Sequence, residues 1–360
     1  MKKIRMAIIG QGRSGRNIHG AYLKSESNDM YDVVAIAELI PERRERAKNE
    51  YPGCEVYEDY REILKRDDID LVLNDTYSDT HYSITKEFLE NGFNVMVEKP
   101  MSRNYYECSD LIRIAKEKNV TLAVFQQSLY APMFTKAMEI AKSGVLGEIQ
   151  QVSLRYNSLQ RRWDWQTLQS RIAGGLYNTG PHPVGYALAF LDFSDDFRVE
   201  YSKLACCLTS GDSDDYAKVI LSAPQKPVID LEISSVDPFT DYKFKIQGTK
   251  GSYKGDLTKY SMEYVEDGEN PERPVQYYAI SDENNMPTYC SEKLITHKVV
   301  DQAYAGVDGA AFSHATECYY KMLYKTLAEG KPLEITPEMI AKFVSVIETV
   351  HAQNPLVTRF

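Results

Sequence analysis

Apolar and polar positions alternate along the first third of the chain in short runs separated by amphipathic stretches. Residues 4–10 form a brief apolar run, 17–24 have helical spacing, 33–38 are a β-branched run, and 41–51 read as a charged amphipathic helix opened by Pro41. The pattern then repeats, with strands at 70–74, 94–98 and 121–125 and helices at 80–91, closed by Gly92, and at 105–119. Strand and helix in strict alternation predict crossover connections, and hence a parallel, doubly wound sheet of α/β type covered on both faces. From about residue 147 the apolar period shortens to two, at 149–156, 217–221, 228–234, 242–247 and 261–265, which predicts antiparallel strands in a second, α+β domain. A polar segment at 281–308 reads as a long loop, and helices at 310–329 and 337–353, punctuated by Gly330 and Pro332, close the chain. The expected division is 1–125 and 126–360, with the closing helices packed back near the domain junction.

Composition narrows the range of partners. A chain of 360 residues exceeds what one hydrophobic core usually serves, and 43% hydrophobic with 26% charged residues is ordinary for a folded protein. A net charge of -10 repels phosphate backbones and anionic lipid, and no Lys/Arg cluster offsets it locally, so neither nucleic acid nor a membrane is expected as a partner. No apolar stretch approaches about 20 residues. The run after Met1-Lys2-Lys3 is too short for a signal-peptide core, and the expected location is cytoplasmic. The six cysteines (Cys54, Cys108, Cys206, Cys207, Cys290, Cys318) lack C-x-x-C pairing or a histidine at ligand spacing, which predicts reduced thiols and no metal site.

Candidate chemistry begins at Gly10-Gln11-Gly12-Arg13-Ser14-Gly15, which follows a strand and opens a helix. In that context Gly10 permits a tight turn, Gly12 lets a pyrophosphate approach the backbone, and Gly15 lets the helix pack on the sheet, with Arg13 and Ser14 completing the loop. Glu38, at the end of the second strand, is placed to accept both ribose hydroxyls of an adenosine and to repel a 2′-phosphate, so NAD is favoured over NADP. Arg43 and Arg44 leave some tolerance for NADP. Glu98-Lys99-Pro100 ends the fourth strand, where open parallel sheets bind ligands, although Glu98 and Lys99 alone also read as a surface ion pair.

Taken together, the glycine motif, Glu38, the strand-loop from Asn74 to His81 with Thr76 and Tyr77, and Glu98-Lys99-Pro100 resemble the Gfo/Idh/MocA family of glucose-fructose oxidoreductase and inositol dehydrogenase relatives. The closing Ala328-Glu329-Gly330-Lys331-Pro332 extends the likeness over nearly the whole chain. The resemblance implies a Rossmann domain followed by a domain with a large, mostly antiparallel open sheet that mediates homo-oligomerisation as a dimer, tetramer or larger ring. It implies that Lys99 bonds the reacting hydroxyl and the nicotinamide ribose, and that Pro100 holds an unusual, cis-compatible turn beside the ring. Gly174-Gly175-Leu176-Tyr177-Asn178-Thr179-Gly180-Pro181-His182 resembles the family's G-G-x-x-x-D-x-G-x-H segment, which makes His182 the candidate base. On a helix, Asn178 and His182 share one face. Asn178 replaces the family's aspartate; it can bind a hydroxyl or orient the imidazole, but it carries no proton.

The remaining candidates leave two readings open each. His81, opening a helix near the cofactor, and Gln127, in the Gln126-Gln127 pair after the fifth strand, are cofactor or substrate ligands, or purely structural. Tyr156 and the stretch Arg161-Arg162-Trp163-Asp164-Trp165-Gln166 offer the aromatic faces and hydrogen-bonding groups that a sugar ring wants, or form a subunit contact. The leading expectation is an NAD-dependent dehydrogenase acting on a secondary ring hydroxyl of a sugar, glycoside or cyclitol, with oxidation at a glycoside C3 as a special case. The alternatives are an NAD-recycling glycoside hydrolase or lyase working through a keto-sugar, and a non-catalytic dinucleotide or sugar sensor.

Overall fold

The computed structural model describes residues 2–304 and 310–360. In it the two hydrophobic periods become two sheets. The first lobe contains β1 (Ile4–Ile9), α1 (Gly20–Leu23), β2 (Tyr31–Ala37), α2 (Pro41–Glu50), β3 (Glu55–Tyr57), β4 (Leu71–Asn74), α3 (His81–Glu90), β5 (Val95–Val97), α4 (Tyr105–Lys118) and β6 (Leu122–Val124). Its six strands run parallel in the order β3-β2-β1-β4-β5-β6. Residues of β4, β5 and β6 are buried throughout, as expected of strands covered on both faces. The chain order reverses between β1 and β4, which opens a crevice at the carboxyl ends of those strands.

Two expectations for this lobe need correction. Strand β3 was not foreseen: it has three residues, Glu55 among them exposed, and is too short to show a period. Glu98 therefore follows the fifth strand rather than the fourth, and Gln127 follows the sixth rather than the fifth. The first helix also begins earlier than residue 17, as a π-turn over Gly15–His19 that continues into α1.

The second lobe adds α5 (Pro132–Lys142), β7 (Ile149–Asn157), α6 (Gly175–Asn178), α7 (Pro181–Phe190), β8 (Arg198–Ala205), β9 (Tyr216–Ser222), β10 (Val228–Ser234), β11 (Phe244–Gly248), β12 (Gly251–Gly255), β13 (Lys259–Tyr264) and β14 (His297–Gln302). The strand order is β14-β13-β12-β11-β7-β10-β9-β8. All neighbours are antiparallel except β7 and β10, which pair in parallel with Val152 opposite Ile229 and Leu154 opposite Leu231. The sheet is thus mostly antiparallel, as expected, and the direction of this one pair is not legible in an alternating pattern, which specifies the buried face but not strand direction. Strands β8 and β14 form the sheet edges and are mostly exposed, which hides their period. Strand β14 occupies part of the segment read as loop 281–308, whereas residues 305–309 of that segment lie outside the described residues.

Helices α8 (Ala310–Glu329) and α9 (Pro337–Gln353) return to the first lobe. The Tyr319 hydroxyl donates to the Val124 carbonyl (2.6 Å), and the Tyr31 hydroxyl donates to the Tyr320 carbonyl (2.8 Å). Helix α9 packs on α4. Among the described residues, no helix is long and apolar enough to cross a membrane.

Candidate active site

The loop after β1 has the shape a dinucleotide needs. Gly10 sits at φ +100°, and a Cβ there would lie 2.3 Å from the Asp75 carbonyl oxygen. A Cβ on Gly15 would lie 2.4 Å from Asp75 Oδ2, so the loop is pressed onto the strand-loop that follows β4. Above Gly12, by contrast, the nearest atom to such a Cβ is Arg43 Nη1 at 3.9 Å, which leaves open space where a pyrophosphate would rest. Glu38 is buried after β2, with Oε2 accepting from Gln11 N (2.7 Å) and Oε1 from Ile40 N (2.9 Å). Its carboxylate is thus held in place with lone pairs left over for ribose hydroxyls. Arg43 Nη1 is 3.8 Å away and Arg44 is turned onto the Glu38 and Leu39 carbonyls, while the Arg13 side chain is exposed.

Beneath this loop lies a buried polar floor. Glu98 Oε1 accepts from the Ser14 hydroxyl and from His19 Nε2 (3.1 Å), and Oε2 accepts from Lys99 N (3.0 Å). With the His19 proton on Nε2, Nδ1 accepts from the Tyr320 hydroxyl (2.7 Å), so one tautomer satisfies both contacts. Burial alone would push the Glu98 carboxyl up; the His19 hydrogen bond and the Lys99 charge reverse this and hold it at about 2. Asp75, buried beside it, is pushed the other way, upward, by desolvation and then by the Glu98 charge. Glu98, expected among the cofactor contacts, supports Lys99 from below, with both Oε1 positions and one on Oε2 taken within the protein.

At Lys99 the two lobes meet. The Lys99–Pro100 peptide is cis, and Lys99 Nζ donates to the main-chain oxygen of Asn178 (3.0 Å). Asn178 ends α6, and His182 lies in the first turn of α7. The main chain between them is nearly continuous, since Gly180 N reaches Gly175 O (3.0 Å) and His182 N reaches Thr179 O (3.1 Å). This segment is seated by Gly174, at φ +125°, where a Cβ would lie 2.3 Å from Asp214 Oδ1; Asp214 Oδ2 accepts from Leu176 N (2.7 Å). Among the described residues, His182 Nδ1 is buried with no hydrogen-bond partner, as is Asn178 Oδ1, while Asn178 Nδ2 donates to Gln166 O (2.8 Å). Desolvation, then the nearby Lys99 charge, lower the His182 imidazole to about 3, so it is neutral at physiological pH.

Two family models cover this architecture. One, described as an oxidoreductase family with an NAD-binding Rossmann fold, matches residues 4–126, and the Gfo/Idh/MocA C-terminal domain matches residues 134–254. The chain belongs to the Gfo/Idh/MocA family. It is 26% identical over 353 residues to the scyllo-inositol 2-dehydrogenase (NADP(+)) IolW of Bacillus subtilis, covering 96% of this chain and 92% of that one. Over 174 residues it is 29% identical to a glycosyl hydrolase family 109 protein of Phocaeicola vulgatus, which covers 46% of this chain and 33% of the hydrolase. An NAD-binding protein from Listeria innocua shares the fold over 100% of both chains, with a TM-score of 0.80 at 20% identity.

Not every candidate residue of this Gfo/Idh/MocA chain faces the cleft. The His81 ring spans two carbonyls, Nδ1 to Pro100 O at 2.7 Å and Nε2 to Thr76 O at 3.3 Å, so it pins two strand-end loops together rather than facing a cofactor. The Thr76 hydroxyl bonds Asn74 Oδ1 (2.8 Å) and the Thr80 hydroxyl (2.7 Å). Tyr77 stays half exposed, with Trp165 edge-on at 4.9 Å and the Arg171 guanidinium 5.2 Å from its ring centre. Gln127 is buried with Oε1 unpartnered. A cavity of about 290 Å³ opens on the second-lobe side of Asn178, lined by Tyr156 and Arg162 among others. Trp163 is 79% exposed and, like Trp165, is absent from that lining, because Trp165 packs on Tyr77 instead.

Sequence reading missed His19, Asp75 and Tyr320. His19 lies four residues after Gly15 and so one helical turn along, a spacing visible in the sequence. Tyr320 carries no local signal.

Proposed function

We propose that this Gfo/Idh/MocA oxidoreductase transfers a hydride between NAD and a secondary ring hydroxyl of a sugar, glycoside or cyclitol. The observation that carries this reading is the Lys99 ammonium, anchored on the Asn178 main chain (3.0 Å) at the lobe junction beside the neutral, unpartnered His182 imidazole. Bound nicotinamide supplies the hydride acceptor. Lys99 donates to the substrate oxygen and steadies its developing negative charge, while His182 takes the hydroxyl proton. Gln127 and Asn178 supply acceptors for further substrate hydroxyls, and Tyr156 and Arg162 form the far wall.

The fixed Glu38 carboxylate supports NAD over NADP, and the proximity of Arg43 moderates that preference. We further propose that the chain works as a homo-oligomer in the cytoplasm, assembled through the sheet face carrying Arg155, Lys218 and Asp230, whose side chains pair with one another. The likeness to a family 109 glycosyl hydrolase keeps a second reading in view, in which the same chemistry creates a transient keto-sugar and NAD is regenerated in place. Purified protein incubated with NAD and a panel of sugars, inositols and glycosides is expected to form NADH, read near 340 nm. Glycoside cleavage without net NADH identifies the second reading, and neither outcome, with no reduction of keto-sugars, overturns both.

A further inference from the structure

The cavity beside Asn178 contains a cation without a counter-charge. Its lining holds two basic residues, Arg162 and Lys243, and two acids, Asp214 and Asp215. Arg162 is paired with Asp164 (2.7 Å). Asp215 is turned onto main-chain donors, accepting from Cys207 N (2.5 Å), Leu208 N (2.7 Å) and Thr209 N (2.7 Å). Asp214 accepts from Leu176 N (2.7 Å) and faces His351 Nε2 at 3.5 Å. Neighbouring Arg155 and Lys218 are both consumed by Asp230. Lys243, among the described residues, has no ion pair and no side-chain hydrogen bond, and its Nζ lies 4.7 Å from the centre of the Tyr156 ring. Its backbone is fixed between two strands, N to Gly255 O (2.8 Å) and O to Arg155 N (3.1 Å). Burial alone lowers its affinity for a proton, with no acid opposing the shift. A half-buried ammonium held over an aromatic face, in a wall where neither Asp214 nor Asp215 pairs with it, is costly unless a ligand completes it.

We propose that the substrate carries an anionic group, a carboxylate or a phosphate, that Lys243 receives in this cavity while the reacting hydroxyl lies on the Lys99 side of Asn178. The inference rests on the oxidoreductase reading for the hydroxyl but not for the anion. It is tested on the full-length protein with NAD, using matched neutral, carboxylate and phosphate probes: glucose, glucuronate and glucose 6-phosphate, the galactose equivalents, and myo-inositol with its monophosphate. Affinity is measured by calorimetry and turnover by NADH formation. In the native protein at least one anionic probe is expected to bind at least ~10-fold more tightly than its neutral counterpart. Lys243→Met should erase that ratio without changing the affinity of the neutral probe, and Lys243→Arg should keep it. Whether carboxylate or phosphate is preferred identifies the source of the charge.

Anion binding that depends on Lys243, with no NADH formed, no glycoside cleaved and no keto-sugar reduced, leaves this inference standing and overturns the oxidoreductase reading. Turnover of neutral sugars that is indifferent to Lys243 does the reverse. No anionic probe binding better than its neutral partner, or Lys243→Met weakening both equally, overturns the inference.

Discussion

The two sides of Lys99 are built on opposite plans. Below it, Glu98 meets Ser14, His19 and the Lys99 amide, and His19 is in turn satisfied by Tyr320, so that the acid's hydrogen bonds are made within the chain. Beyond it, among the described residues, His182 Nδ1, Asn178 Oδ1 and Gln127 Oε1 are buried without partners and Lys243 has no acid. Buried polar groups are costly when unmet, so the first region is preorganised and the second is tuned to be completed from outside. Gln11, in the glycine loop, shares the second condition, with both side-chain amide atoms buried and unmet. The hydrogen bonds of Glu98 thus mark the support of the reacting lysine, whereas His182, Asn178 and Gln127 stay open where a substrate would reach; Asp75 Oδ2, beside Glu98, departs from this plan, being buried without a hydrogen bond among the described residues.

The contrast can be broken most forcefully at its centre. Lys99→Ala and His182→Ala are each expected to lower kcat by at least about 100-fold with NAD affinity nearly unchanged, as steady-state kinetics and cofactor titration would show. Wild-type turnover in the His182 variant would remove that imidazole from the chemistry. Next is the supporting side: Glu98→Gln keeps the shape but turns an amide toward His19 or Ser14, and is expected to cost about 2–3 kcal/mol in urea unfolding without ligand. Equal stability would show that the network below Lys99 is not what holds it. Glu38→Ala should weaken NAD by about 10-fold and narrow the gap to NADP in direct binding measurements. The smallest effect is expected at Asn178. Lys99 uses its main-chain oxygen, so Asn178→Ala loses the side-chain bond to Gln166 and one acceptor for a substrate hydroxyl but keeps the lysine's anchor, and should reduce kcat/KM by less than about 10-fold. A loss as large as that of Lys99→Ala would give the amide a direct part in the reaction.

Much of this is legible in the sequence. Doubly covered strands such as β4 and β5 give unbroken apolar runs, and the glycine loop, Glu38 and Lys99 sit at positions where a strand end dictates geometry. What escaped has physical causes. The parallel β7–β10 pair is invisible to an alternation that encodes faces and not directions. Trp163 has the composition of a sugar platform, yet a tryptophan's position in a wall depends on which neighbour it packs against. Tyr320 reaches His19 across 301 residues, and Lys243 matters because of acids spent elsewhere, a fact no single segment contains.

The late arrival of Tyr319 and Tyr320 has a consequence for how the chain is made. Both rings are fully buried against the first lobe. A ribosome releases that lobe's own strands long before it reaches α8, so the nascent nucleotide-binding half leaves the exit tunnel with a gap in its interior. Completion of that interior is thereby deferred until about the last seventh of the chain, and a truncation before Tyr319 is expected to leave the first lobe open to proteolysis.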